Sequence, residues 1–344
     1  MTKPLRFGIV GCGRIAPRHA QAIRDIPEDD AISIVAACDV KEARAKHYID
    51  TYGGKPYTDY LRMVEDPNID VVTVAVPSGL HAKIGIAAAK AGKHVLVEKP
   101  IALRLEDADE LIETCEQNGV TLGVVLQNRF NPPMRELRAL VDSGQLGKLY
   151  LGSATVRWFR PQEYYEDDWH GTWALDGGAL MNQSIHHIDA LQWFLGDVES
   201  VFTYSDTMAH RMEAEDVGVS VLRFKNGAIA TIEGSTLTYP ENLEGSVALF
   251  GERGSVKVGG TALNRKVFWK VAGELEHERE LLRREEVDPP SVYGYSHREQ
   301  ILEMAHAIRE GRQPATHGRE ARRSLRLVLA MYQSSRERRE VLLD

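Results

Sequence analysis

Cysteine is nearly absent. Cys12, Cys38 and Cys115 are the only three in 344 residues. Their spacing supports neither a disulfide framework nor a zinc cage, so they read as small buried thiols. Long apolar runs are missing as well: no stretch reaches the roughly 18 consecutive apolar residues of a membrane span. There are no internal repeats and no low-complexity linkers. Basic charge is not in excess either. Lys and Arg number 42 against 50 Asp and Glu, giving a net charge of −8 and a pI near 5.9. That balance argues against a nucleic-acid partner and requires any anionic ligand to be met by locally placed cations. The opening Met1-Thr2-Lys3-Pro4 runs straight into a strand-like segment with no signal-peptide pattern, so a cytoplasmic enzyme is the expectation. What the chain does have is an ordinary globular composition, 43% apolar and 27% charged, at a length suited to two domains.

The first part alternates short apolar runs with helix-like segments. The runs are 5–10, 32–38, 71–76, 95–97 and 121–126, and the intervening helices begin near Arg14, Lys41, Thr58, Gly79 and Leu105. Such alternation implies right-handed crossovers and a doubly wound parallel sheet of Rossmann type. After Asn131-Pro132-Pro133 the pattern changes to longer strand-like runs joined by turns. One of these turns is Asn226-Gly227, which predicts a hairpin with both central residues at positive φ. A helical segment near Ala179–Phe194 interrupts the strands, and two amphipathic helices close the chain. The expected organisation is an α/β nucleotide domain over residues 1–126. An α+β domain over 127–344 follows, with a large, mostly antiparallel, open-faced sheet and helices on one side.

Gly11-Cys12-Gly13-Arg14-Ile15-Ala16 fits the G-x-G-x-x-G/A dinucleotide fingerprint. Gly11 permits the tight turn, Gly13 lets backbone approach a pyrophosphate, and Ala16 allows close helix–strand packing. The helix that begins near Arg14 aims its free N–H groups at the phosphates. Asp39 ends the next strand, where it can accept from the ribose hydroxyls and repel a 2′-phosphate, so NAD is the expected cofactor. Pro77-Ser78-Gly79-Leu80-His81 follows a buried strand at the same sheet edge, which makes Ser78 and His81 cofactor-contact candidates.

Glu98-Lys99-Pro100 follows the apolar run Val95-Leu96-Val97, which delivers a lysine to that edge. Together with the glycine fingerprint, this triplet resembles the glucose–fructose oxidoreductase/inositol dehydrogenase family. The resemblance implies that Lys99 lies beside the nicotinamide, that Pro100 is cis, and that Glu98 and Gln127 belong to the cofactor site. It also implies a catalytic histidine on a helix, here His186 in Asn182-Gln183-Ser184-Ile185-His186. The spacing of Asn182 and His186 puts both on one helical face. Relatives often carry aspartate where Asn182 stands. An amide can fix the imidazole but does not stabilise its cation, which shifts weight onto Lys99. No metal site is expected at His186-His187, since no carboxylate or cysteine ligand sits at suitable spacing.

Several longer segments look like the UDP-N-acetyl-2-amino-2-deoxyglucuronate dehydrogenases. They are Gln127-Asn128-Arg129, Arg160-Pro161-Gln162-Glu163-Tyr164-Tyr165, Gly171-Thr172-Trp173, Gly178–Gln183, Thr238–Ser246 and Ser291-Val292-Tyr293-Gly294. This likeness implies NAD-dependent oxidation at C3 of a UDP-sugar acid, a step in bacterial surface-polysaccharide synthesis. Arg129, Arg160, Tyr164, Gln183 and Tyr239 would form the substrate site, and the protein would be a homotetramer. His170 stands where those relatives carry arginine. The alternatives are a family dehydrogenase of another sugar or cyclitol, or a non-catalytic NAD-binding sensor.

Overall fold

The computed structural model describes residues 3–260, 262–273, 294 and 296–343. Ser291-Val292-Tyr293 lies outside them. The chain divides into two compact units: Met1–Gln127 with Tyr295–Arg322, and Asn128–Gly294 with Arg323–Asp344. The sequence reading puts everything after residue 126 in the second domain, whereas the segment 295–322 clusters with the first unit.

The first unit is built on six parallel strands: β1 (Leu5–Val10), β2 (Ile32–Cys38), β3 (Lys55–Tyr57), β4 (Val71–Val74), β5 (His94–Val97) and β6 (Leu122–Val124). Their order is β3-β2-β1-β4-β5-β6. This is the doubly wound order, with its switch point between β1 and β4, where a ligand crevice opens at the carboxyl ends. Helices α1 (Ala16–Arg24), α2 (Glu42–Tyr52), α3 (Tyr60–Val64), α4 (His81–Lys90) and α5 (Leu105–Gln117) form the crossovers. All four residues of β4 are buried, as a strand covered on both faces requires.

The second unit starts with α6 (Pro132–Asp142) and continues through β7 (Leu149–Arg157) and α7 (Ile185–Leu195). Its remaining strands are β8 (Val198–Asp206), β9 (Val217–Phe224), β10 (Ile229–Ser235), β11 (Glu244–Gly251), β12 (Gly254–Gly259), β13 (Arg265–Val271) and β14 (Val341–Leu342). They form one sheet in the order β13-β12-β11-β7-β10-β9-β8-β14. Only β10 and β7 pair in parallel; the other neighbours are antiparallel. Along β9 and β10 buried residues alternate with more exposed ones, so one face packs on helix and the other is open. That open face carries Leu151, Val219, Val221, Ile229 and Phe250 at the surface.

The β9–β10 turn differs from expectation. Gly227 has φ +88, but Asn226 is not in the positive-φ region. The Gly227 N–H donates to Phe224 O, and Ala228 N–H donates to Asn226 Oδ1. A three-residue loop needs only its last residue left-handed, and the asparagine closes it with its side chain.

Segment 295–322 completes the first unit's core. Within it, α8 (His297–Glu310) buries Ile301, Met304 and Ala305 against Leu5, Phe7, Leu96 and Val125. Each large apolar side chain buried there contributes about 1.5–3 kcal/mol. Gln300 donates to Val124 O at 2.5 Å and to Thr316 Oγ1 at 2.9 Å, pairing polar groups the core would otherwise strand. The last helix, α9 (Gly318–Glu337), follows. No described helix is long and apolar enough to cross a membrane.

Candidate active site

In the first unit, Gly11 turns the chain at φ +96, and a Cβ there would lie 2.3 Å from Ala75 O. Only glycine fits. A Cβ on Gly13 would meet nothing within 4 Å, so backbone faces open space there. Helix α1 begins at Ala16, two residues later than expected, with Ile15 before it, no side-chain cap and Pro17 in the first turn. Pro17 carries no N–H and Arg18 N–H donates to Ile15 O at 2.9 Å, which leaves the Ala16 N–H at this helix end to meet an anion. Arg14 stands exposed beside it.

Asp39 is buried and holds this turn together. Its Oδ2 accepts from Cys12 N–H at 3.0 Å and its Oδ1 from Lys41 N–H at 2.8 Å. Each oxygen retains a second lone pair for a ribose hydroxyl. Burial pushes the Cys12 and Cys38 thiols up to about 12, so neither is a thiolate at neutral pH. Gln127 adds a buried Oε1 with no partner, which a cofactor amide can satisfy. The open approach at Gly13, the uncapped helix, the ribose-side carboxylate and this oxygen together fit a nicotinamide dinucleotide.

The Lys99–Pro100 peptide is cis. Glu98, just before it, is buried and braced on two sides. His19 Nε2 lies 2.8 Å from its Oε1, and Oε2 accepts from Lys99 N–H at 3.2 Å. Burial opposes ionisation of Glu98, but the His19 hydrogen bond and the charges around it outweigh that and hold the carboxyl well below its ordinary range. His297 packs edge-on to His19 at 5.3 Å, and burial pushes it down to about 3. The donor atoms of His19, Glu98 and His297 lie within 4.8 Å of one another. Donors around a tetrahedral zinc with 2.0–2.1 Å bonds would stand about 3.3 Å apart. The 2.8 Å contact is instead a hydrogen bond, and the trio works as a brace behind Lys99. Lys99 itself is half-buried.

His81 is a second brace, not a cofactor ligand. It is buried, with Nδ1 2.7 Å from Pro100 O and Nε2 2.9 Å from Val76 O. Backbone carbonyls flank both ring nitrogens, and the tautomer decides which one accepts the single N–H of the neutral ring, so the cofactor contact expected of it does not fit. Burial lowers its pKa despite the two carbonyls. Ser78 is buried in the short turn just before it.

In the second unit, the candidate residues cluster around a π-helical turn. Residues Ala179–Gln183 form it, and Ser184 N–H reaches back to Ala179 O. Helix α7 starts only at Ile185, so Asn182 and His186 do not share the one regular helix face that their four-residue spacing predicts. Gly178 admits the turn: a Cβ there would sit 2.1 Å from Glu215 Oε2. Glu215 clasps the turn from below, accepting from Leu180 N–H at 2.8 Å and from Tyr332 Oη at 3.0 Å. Burial, assisted by the charge of Asp176, pushes its carboxyl up to about 7.

Three expected substrate residues come together here. Arg160 Nη2 donates to Gln183 Oε1 at 3.0 Å, and Gln183 Nε2 donates to Tyr164 Oη at 3.2 Å. The Arg160 guanidinium also lies over Trp158 and Tyr164, and donates to Phe159 O and Asn242 Oδ1. Among the described residues, no carboxylate pairs with it. Burial pushes the Tyr164 hydroxyl pKa up. His170 is buried, stacked between Trp169 and Tyr164, with Nδ1 2.6 Å from Asp167 Oδ2. Tyr239 is 83% exposed, edge-on to Phe159. His186 is half-buried. His187 packs in the interior against Trp158, where burial pushes its pKa down to about 4.

Arg129 lies elsewhere. It is buried in a bidentate pair with Asp189 and stacked on Trp193. The substrate role expected for it does not fit that placement. Sequence reasoning also missed His19, His297, Asp176 and Glu215. None sits at motif spacing, and only His19, one helical turn into α1, carried any positional hint.

A doubly wound sheet with a dinucleotide turn, a braced lysine at its edge and a second mixed sheet define an oxidoreductase built on a Rossmann fold. Residues 5–126 match the oxidoreductase family with NAD-binding Rossmann fold, and residues 134–257 match the GFO/IDH/MocA C-terminal domain. The chain belongs to the GFO/IDH/MocA family, and its first unit is an NAD-binding domain. It is 30% identical to the myo-inositol 2-dehydrogenase of Thermotoga maritima over 99% of both chains. It also resembles the WlbA dehydrogenase of Bordetella pertussis, solved with NADH and UDP-GlcNAcA. That match has 38% identity and a TM-score of 0.91 over 100% of this chain and 99% of that one. The WlbA dehydrogenase of Chromobacterium violaceum, solved with the same ligands, gives 36% identity and a TM-score of 0.91 over 99% and 96%.

Proposed function

We propose that this chain oxidises the C3 hydroxyl of UDP-2-acetamido-2-deoxyglucuronate to the 3-keto sugar nucleotide, in bacterial surface-polysaccharide synthesis. The observation that carries the reading is the Arg160–Gln183–Tyr164 array. It offers a half-buried guanidinium with only neutral partners, on a chain of net charge −8. Such a cation suits a carboxylate or diphosphate. The WlbA likeness over nearly the whole chain supports the same substrate.

Bound NAD supplies the hydride acceptor. Lys99 takes the proton of the reacting hydroxyl, since a positively charged nicotinamide disfavours its ammonium form. His186 hydrogen-bonds the sugar and shares that proton. Asn182 and Gln183 orient the substrate, and Tyr239 contacts it from the rim. The open face of the eight-stranded sheet, with Leu151, Val221, Ile229 and Phe250 exposed, suits burial between copies in a homotetramer. Incubation with NAD and UDP-N-acetylglucosaminuronic acid, followed by mass analysis, should show a product lighter by two hydrogens.

The inositol dehydrogenase likeness favours a second reading, oxidation of a cyclitol. NADH formation with myo-inositol and none with the UDP-sugar acid would select it.

A further inference from the structure

We propose that Asp176 is a positioning residue that decides which atom of Asn182 faces the substrate. This deepens the reading above and rests on its placing of Asn182 at the sugar.

Asp176 is 1% exposed. Its Oδ2 accepts from Gly171 N–H at 2.8 Å, and its Oδ1 accepts from Asn182 Nδ2. An ionised carboxylate only accepts, so the amide atom turned toward it must be the NH2 group. The carbonyl oxygen of Asn182 therefore points away from Asp176. Asn182 is half-buried, and with its NH2 group held by Asp176 the atom assigned to the sugar is the oxygen, an acceptor. A sugar hydroxyl can donate to that oxygen, whereas a keto oxygen at the same place cannot.

The neighbouring amide is set by the same logic with the opposite sign. Arg160 only donates, so Gln183 turns its Oε1 to it and its Nε2 to Tyr164. Two consecutive amides on the π-turn are thus oriented by two charges, Asp176 for Asn182 and Arg160 for Gln183. Asp176 also ties the chain at Gly171, beside His170, to that turn. One buried carboxylate sets both the place of the segment and the polarity of the amide.

The test uses D176N, N182D and the D176N/N182D double variant, with kcat and KM measured against pH. In D176N the new amide must keep its oxygen on Gly171 N–H, so it turns an NH2 group toward Asn182. Asn182 then flips and presents a donor. D176N should lose about 10- to 100-fold in kcat/KM, the worth of one misplaced buried hydrogen bond. In the double variant, the carboxylate now at position 182 accepts from the amide at position 176. It again presents an oxygen outward, so most of the loss should be regained. N182D alone sets two carboxylates face to face, and its activity should fall on the alkaline side relative to wild type as both ionise.

Wild-type kcat/KM in folded D176N, or a double variant no better than D176N, overturns the proposal. If D176N does not fold, an N182D pH profile parallel to wild type overturns it. Should the wild type oxidise myo-inositol and not the UDP-sugar acid, the proposed substrate fails. The same variants assayed on inositol then decide the role of Asp176 separately.

Discussion

Arg129 and Asp189, 60 positions apart, meet in a buried two-pronged ion pair, Nε to Oδ2 and Nη2 to Oδ1, each at 2.7 Å. Ser324 Oγ donates to the same carboxylate at 2.6 Å. The contact joins the turn before α6 to helix α7, and so helps place the helix that carries His186. Removing one partner strands the other charge in the interior. R129M should destabilise the fold by about 3–5 kcal/mol. Thermal melts with and without substrate check this. An R129M protein of normal stability with a raised KM would return Arg129 to the substrate site.

Lys99 is braced through Glu98, His19 and His81, and none of those contacts requires its ammonium group. K99M should therefore fold, bind NAD as wild type does, and lose turnover. H186N should retain more, falling by roughly 10²–10⁴-fold in kcat, the range of acid–base assistance. NAD titration alongside steady-state rates separates the two effects. Near-normal turnover in K99M would remove Lys99 from the chemistry.

Arg160 faces neutral partners, so R160M leaves no buried carboxylate uncompensated and should keep its stability. KM for the UDP-sugar acid should rise about 10- to 100-fold, the worth of a lost charge-assisted hydrogen bond. The kcat should change less. An unchanged KM would contradict anion recognition by this residue.

Glu215 makes stability depend on pH. Its carboxyl is raised from 4.5 to about 7, so the folded chain binds the proton more tightly than the unfolded chain. The stabilisation is complete below pH 4.5, is lost as pH rises to about 7, and is flat above. The whole effect is about 3 kcal/mol. Buried His187 and His297, lowered to about 4 and 3, act in the opposite sense at acid pH, so a variant comparison is needed. E215Q should lose the downward component between pH 5 and 7 that wild type shows in denaturant titrations. Parallel wild-type and E215Q curves would place the carboxyl at its ordinary pKa.

The nucleotide unit was legible because its signals are local. Each buried run alternates with a helix. Gly11 must turn where no side chain fits, and Asp39 caps the turn that follows the next strand. Lys99 reached the sheet edge by the same local rule. Arg160, Tyr164 and Gln183 were named through a likeness of segments, and the fold brings them within hydrogen-bond distance. Arg129 belonged to the same set of segments but went to the core, because its partner Asp189 has no sequence signature.

The sequence by itself determined the doubly wound sheet, the dinucleotide turn and the identity of the edge lysine, because strand burial, glycine geometry and helix spacing act over a few residues. Tertiary structure alone decided what stands behind them. Glu215 and Tyr332, far from residue 180 in the chain, clasp a π-turn where the four-residue spacing reads as a regular helix. The extra residue in that turn re-aims Asn182 and brings it onto Asp176. Contacts closed by long loops leave no periodicity in the chain, so the charge that governs this amide could be seen only once the fold was formed.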